Sequence, residues 1–268
     1  MSAAHYVRAL AGIVRREMLR TLGQTGRLAA ALVRPLIWLA VFAAGFRSVL
    51  GLSITPPYET YVLYEVYVVP GLAAMMLLFY GMQTSLSMVY DREMGSMRTL
   101  LVAPLPRWYL LGARLLANVL VALPLVYVFL LVARFFGVRP PLLGYAAALP
   151  ALVLAGLMLG ALGLLVSSVV RQLENFAGVM NFVIFPMFFA STALYPLWRL
   201  EDSSPVLALV AQSNPFTYAV ELIRFALYGR IDAVALAVTA GALLVLFGAA
   251  VLGYDPGRGF WARRTGEG

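Results

Sequence analysis

Six apolar runs, at roughly 28–50, 67–90, 108–133, 143–170, 175–196 and 231–254, are each long enough to cross a bilayer as a helix. A hydrocarbon core of about 30 Å needs about 20 helical residues. Barrel strands would instead be about 10 residues long and would alternate in polarity, which these runs do not. In lipid, each segment must also satisfy its own backbone polar groups. The chain therefore reads as an all-α membrane protein with six transmembrane helices. Composition agrees: 62% of residues are hydrophobic and 12% charged, against about half and a quarter in soluble domains. The first run is too long for a cleavable leader, and no A-x-A site follows it.

All 20 basic residues are arginine, and the net charge is +8. The arginines sit at the edges of the apolar runs rather than on one polar face, so they read as topology signals and lipid-headgroup partners, not as a nucleic-acid surface. Six crossings put both termini on one side. That side would hold twelve arginines, at 8, 15, 16, 20, 27, 92, 98, 107, 171, 258, 263 and 264, and the other side five, at 47, 134, 139, 199 and 230. The positive-inside rule then makes both termini cytoplasmic, and the expected location is a bacterial cytoplasmic (inner) membrane.

Several chemistries are excluded. Without lysine, no G-x-x-x-x-G-K-[ST] loop can be built, so the chain cannot hydrolyse ATP as a conventional P-loop enzyme. Without cysteine there are no disulfides or thiolate metal sites. His5 is the one histidine, and the twelve acids form no D-x-x-D or H-x-x-x-D set, which argues against a membrane-embedded transferase. Neither inverted repeats nor intramembrane acid clusters are visible, so a secondary transporter or channel is the less favoured alternative.

Three segments depart from the spans. Residues 4–22 place Val7, Leu10, Ala11, Val14, Met18 and Leu22 on one stripe with Arg16 and Arg20 opposite, the pattern of an amphipathic helix in the headgroup plane or packed on protein. Residues 91–107, DREMGSMRTLLVAPLPR, are too charged for lipid and too apolar for a free loop. They predict a short cytoplasmic helix whose apolar ridge fits a partner's groove or lies on the membrane surface. Residues 197–230 hold two short helices broken at Asn214, which caps a helix opened by Pro215. They predict a re-entrant hairpin dipping in from the outer side.

The pattern E-x-G-[ST]-x-x-x-L-L-x-x-P-x-x-R, carried by Glu93, Gly95, Ser96, Leu100, Leu101, Pro104 and Arg107, resembles the first cytoplasmic loop of ABC-2 type permeases. The stretch S-x-x-L-Y-P…NPFTY-x-x-E-x-x-R, with Ser191, Leu194, Tyr195, Pro196, Asn214, Pro215, Phe216, Thr217, Tyr218, Glu221 and Arg224, resembles that family's second signature. The likeness covers nearly the whole chain, 1–268, as one transmembrane domain. Its wording is nearest to drug-export and nodulation-factor-export permeases.

The resemblance implies a non-catalytic membrane subunit of an ATP-driven exporter that moves a hydrophobic or amphipathic molecule. Export of a lipid-linked or free oligosaccharide is the runner-up. Two permease copies, identical or different, would pair with two copies of a separate ATPase subunit. ATP and Mg would sit on that ATPase, and this chain would bind no cofactor or metal. Residues 91–107 would be the coupling helix, with Glu93, Arg98 and Arg107 at the ATPase rim and Leu100 and Leu101 in its groove. The family often has an acid near position 98, where this chain has Arg98. Tyr195, Pro196, Asn214, Pro215, Tyr218, Glu221 and Arg224 would shape an outer gate.

Other residues admit two readings from sequence. Glu221 and Arg224, at i and i+3, form either an exposed helix ion pair or a brace for the hairpin. Arg34 and Arg114 read as snorkelling to the interface. Asn118, Asn175 and Asn181 read as hydrogen-bonding glue between helices. Met180, Phe185 and Phe189 either line a substrate path or pack against lipid and helices. Tyr58, Tyr61, Tyr64 and Tyr67, with Trp38, Trp108 and Trp198, fit interfacial belts.

Overall fold

The computed structural model describes residues 3–23, 25–46, 56–58, 62–94, 105–170 and 172–254. Among these, the extended elements are helices: α1 (Ala3–Leu22), α2 (Thr25–Phe46), α3 (Tyr64–Glu93), α4 (Arg107–Ala133), α5 (Leu142–Val169), α6 (Leu173–Phe189), α7 (Leu197–Ser203), α8 (Pro205–Ser213), α9 (Pro215–Leu227) and α10 (Ala233–Gly253). A 3-10 turn, Arg134–Phe136, extends α4.

Four of the described helices are long and apolar enough to cross a membrane: α3, α4 with its 3-10 extension, α5 and α10. The pair α8 and α9 would make a fifth span if counted together, bent by 76° at Asn214. The two remaining expected spans are shorter. In α2 the apolar stretch is Ala29–Phe42, and α6 has 17 residues, both below the 20 or so a straight crossing needs. Residues 47–50 of the expected first span lie outside the described residues.

α6 ends at Phe189 rather than at the expected 196 because its last carbonyls find other partners. Asn214 Nδ2 donates to the carbonyls of Met187 (2.7 Å) and Ala190 (2.8 Å), and Ser191 Oγ donates to that of Phe188 (2.7 Å). With those acceptors satisfied, the chain turns through 190–196 without continuing the helix. The region 197–230 holds three short helices, not two, because Pro205 opens α8 directly after α7, with Ser204 as its cap.

α3 runs three residues past its expected end. Asp91, Arg92 and Glu93 are therefore the last turn of a 30-residue helix and not the start of a separate one. The rest of the expected coupling segment, with Gly95, Ser96, Arg98, Leu100, Leu101 and Pro104, lies outside the described residues.

α3 is the axis of the fold. It is the least apolar of the four spans, with mean hydropathy 1.5 against 2.4–2.6, yet the most enclosed by protein, while α10 is the least enclosed. That inversion follows from the solvent. Lipid offers helices no hydrophobic reason to associate, so the helix with polar groups to satisfy goes inside. α3 and α5 meet at backbone distance. A Cβ on Gly81 would lie 2.8 Å from the Gly160 Cα, and a Cβ on Gly163 would lie 2.9 Å from the Gly81 oxygen. α10 and α9 pack on the same α5, and the α5 end at Gly144 touches the Leu227 carbonyl.

Candidate functional site

The second signature folds into one buried cluster around Arg224. Asn214 leaves α8 in extended conformation and caps α9, its Oδ1 accepting from Phe216 N at 3.0 Å while Pro215 fills the first helical position. That start sets Thr217, Glu221 and Arg224 on successive turns of α9. Arg224 is 1% exposed. Its guanidinium pairs with Glu221, donates to the Thr192 carbonyl at 2.9 Å and lies 3.9 Å from the centre of the Tyr67 ring. Tyr67 Oη donates to the same Thr192 carbonyl at 2.9 Å. Thr217 Oγ1 accepts from Thr192 N at 3.4 Å. The turn after α6 is thus held by α9 from one side and by α3 from the other.

Arg224 is buried and Glu221 half-buried, so the two do not form an exposed surface pair. Tyr58, Tyr64 and Tyr67 are buried in protein and do not form an interfacial belt; Tyr61 lies outside the described residues. Burial pushes the Tyr58 phenol well above its ordinary range, with Arg224 pulling the other way. Of the remaining gate candidates, Tyr218 Oη donates to the Gln212 carbonyl at 2.9 Å across the bend, and Pro196 is the N-cap residue of α7. Tyr195 stands outside the cluster, 37% exposed.

The other end of α3 makes a second cluster. Arg114 of α4 pairs with Asp91 at 2.8 Å and contacts Met88, and is buried. Its guanidinium reaches the end of α3, where the half-buried Asp91 carboxylate compensates its charge. Arg92 donates to the carbonyls of Ser167 (3.0 Å) and Val170 (3.4 Å) at the C-terminus of α5. Glu93 accepts from Leu173 N, the first residue of α6, at 2.8 Å. A cation at a helix C-terminus and an anion at the next N-terminus both match the helix dipoles. Ser167 Oγ also lies 2.7 Å from Tyr254 Oη, bringing in the end of α10. Glu93, expected at a partner's rim, thus has a partner within the chain. Arg107 is exposed at the start of α4.

Arg34 is exposed and stands against an aromatic ring. Its guanidinium lies 4.7 Å from the centre of the Phe79 ring, midway along α3. Phe185 and Phe189 of α6 meet this region: Phe185 is 6.3 Å from Phe79, and Phe189 is 6.5 Å from Trp38. Met180 is half-buried against the core. Asn175 bonds to Gln172 at 2.7 Å on the same exposed turn rather than across helices. Sequence reading missed the α3–α5 contact, although Gly156 and Gly160 on α5 have the G-x-x-x-G spacing that marks close helix approach.

The described residues hold no cluster of three or more His, Asp or Glu side chains able to bind a metal. The chain resembles curated proteins named "Putative transport permease ycf38". It is 27% identical to that of Porphyra purpurea over 84% of this chain and 76% of the relative. It is 26% identical to that of Cyanophora paradoxa over 82% and 74%. The ABC-2 type transporter family profile matches residues 8–228, which include both the Asp91–Glu93 turn and the Asn214–Arg224 cluster. The chain belongs to the ABC-2 type transporter family and is a membrane-spanning, non-catalytic permease subunit of an ABC transporter.

Proposed function

We infer that this permease exports a hydrophobic or amphipathic molecule, taking its energy from a separate ATPase through the segment that follows α3. Family membership implies association with an ABC ATPase subunit. In this reading two permease copies and two ATPase copies assemble, both permease termini face the cytoplasm of a bacterium, and six crossings carry a re-entrant hairpin at 197–230. ATP and Mg stay on the ATPase. Gly95, Ser96, Arg98, Leu100, Leu101, Pro104 and Arg107 form the contact that the ATPase moves.

The observation that carries this reading is the last turn of α3. Asp91, Arg92 and Glu93 are bonded to α4, α5 and α6 respectively. A displacement of the segment just beyond Met94 is therefore passed to three helices at once. At the far end of α3, Tyr67 and the Arg224 brace meet the α6–α7 turn, so the same helix links the driven end to the hairpin.

The test replaces both Leu100 and Leu101 with Asp. The variant is expected to insert in the membrane normally and to lose co-purification with the ATPase. Retained association would overturn the coupling assignment.

A further inference from the structure

Arg34 is exposed, unlike the buried Arg114 and Arg224, and lacks among the described residues the carboxylate that each of them has. Arg114 has Asp91 and Arg224 has Glu221. Arg34 has the Phe79 ring, and no carboxylate pairs with it among the described residues. Phe79 lies 15 residues from Tyr64 and 14 from Glu93, hence roughly 21 Å from either end of α3 at about 1.5 Å per residue. A charge at that depth is costly and normally marks a role.

Around it is a groove between α2, α3 and α4, a cavity of ≈ 90 Å³ lined by Arg34, Trp38, Phe79, Tyr80 and Gln83 among apolar neighbours. Pro35 lies in the same wall. Having no N–H, it withholds the helical hydrogen bond from the Ala31 carbonyl, and Ala31 also lines the cavity.

From the cation a ladder of rings leads toward the Tyr64 end of α3. Trp38, one turn after Arg34, is 5.4 Å from Phe42, and Phe42 is 5.9 Å from Tyr64. Phe79, Phe185 and Phe189 form a second rail, with successive centroids 6.3 Å apart.

We propose that this groove binds an amphipath with one anionic group: the anion pairs with Arg34 and accepts from Gln83, and the apolar body lies along the aromatic ladder. The proposal rests on the exporter reading and names the class of its cargo. The chemistry is complementary. The guanidinium supplies the charge, and a cation–π contact holds it in place while leaving its N–H groups available to an acid. Met75 and Met76 beside the rings give a surface that adapts to varied apolar shapes. Depth distinguishes cargo from a bilayer phospholipid. A resident lipid keeps its phosphate at the interface, far above the middle of α3, whereas a molecule in transit passes this level.

The permease and its ATPase, reconstituted in phosphatidylcholine nanodiscs, test this. With W108F, W198F and W261F in place, Trp38 is the permease's remaining tryptophan, and a brominated chain in the groove quenches it, read as the difference from the same complex carrying W38F as well. Bromododecanoate should quench saturably and bind about tenfold more tightly than bromododecyl-trimethylammonium, the scale of one charge-assisted hydrogen bond. R34Q should erase that preference and R34K should keep part of it. Equal binding of the two probes overturns the proposal, and this comparison needs no substitution at Arg34. If R34Q does not reconstitute, F79L, which removes the ring beneath the cation, should weaken the anionic probe selectively; unchanged binding overturns the proposal. Displacement of the probe by added phosphatidylglycerol would assign Arg34 to a lipid headgroup and also overturn it. ATP turnover by the unsubstituted complex is read in parallel. Turnover without selective binding rejects only the cargo class, and binding without turnover rejects the exporter reading.

Discussion

Arg224 and Tyr67, 157 residues apart in sequence, converge on one carbonyl. The guanidinium stacks 3.9 Å from the Tyr67 ring centre, and both side chains donate to the Thr192 oxygen at 2.9 Å. Removing Arg224 leaves Glu221 without its cation and breaks a buried network. Arg224→Ala should cost about 3–5 kcal/mol, the scale for breaking a buried pair from one side. Arg224→Lys should recover only part of that, since a point charge cannot bond Glu221 and Thr192 in the same planar fork. Thermal unfolding in detergent measures both.

Asn214 does two jobs with opposite ends of one amide: Oδ1 caps α9, and Nδ2 holds the last carbonyls of α6. Asn214→Asp preserves the cap, because aspartate caps as well as asparagine. It removes both donors and sets a charge against two carbonyl oxygens. Asn214→Asp should therefore destabilise the fold at least as much as Asn214→Ala, by about 2–4 kcal/mol from two orphaned acceptors. A melting series that ranks Asp near wild type would show that the cap alone matters.

Asp91 and Arg114 join α3 to α4 at the driven end. A double-mutant cycle with Asp91→Asn and Arg114→Gln should give a coupling energy of about 1–3 kcal/mol, because each lone partner leaves a largely buried charge. In the assembled transporter the single variants should also lower transport per ATP hydrolysed, measurable in proteoliposomes. Additive stabilities would show that the pair carries no mechanical linkage.

Gly81 and Gly160 face each other, but their neighbours differ. A Cβ on Gly81 meets the backbone of Gly160, which cannot give way, whereas a Cβ on Gly160 meets Leu115 Cδ1, the end of a flexible side chain. Gly81→Ala should be the more destabilising substitution, by about 1–3 kcal/mol as for an overpacked core. Detergent melting of the two variants gives the order.

The sequence made much of this legible and left some of it hidden, for physical reasons. Long apolar runs announce helices because lipid leaves the backbone no other partner, so α3, α4, α5 and α10 lie close to their expected limits. The shortened α6 was hidden: its end is decided by Asn214, some 25 residues downstream, and no local pattern reports a distant side chain taking a helix's last carbonyls. The members of the second signature were visible as letters, and so was their grouping near a hairpin. That Arg224 is buried was not, since an i,i+3 pair looks the same on a wet face and a dry one. The partners of Arg114 and Arg34 were hidden for a related reason: Asp91 and Phe79 lie far from them in sequence, and only the fold brings each pair together.

The neighbouring letters Arg92 and Glu93 meet two helix ends of opposite polarity, the close of α5 and the opening of α6. Transposing them would alter neither composition nor net charge, yet each would then confront the terminus that repels it. The α5–α6 elbow therefore depends on the order of an adjacent pair, a kind of information that no tally of residues or hydropathy plot contains.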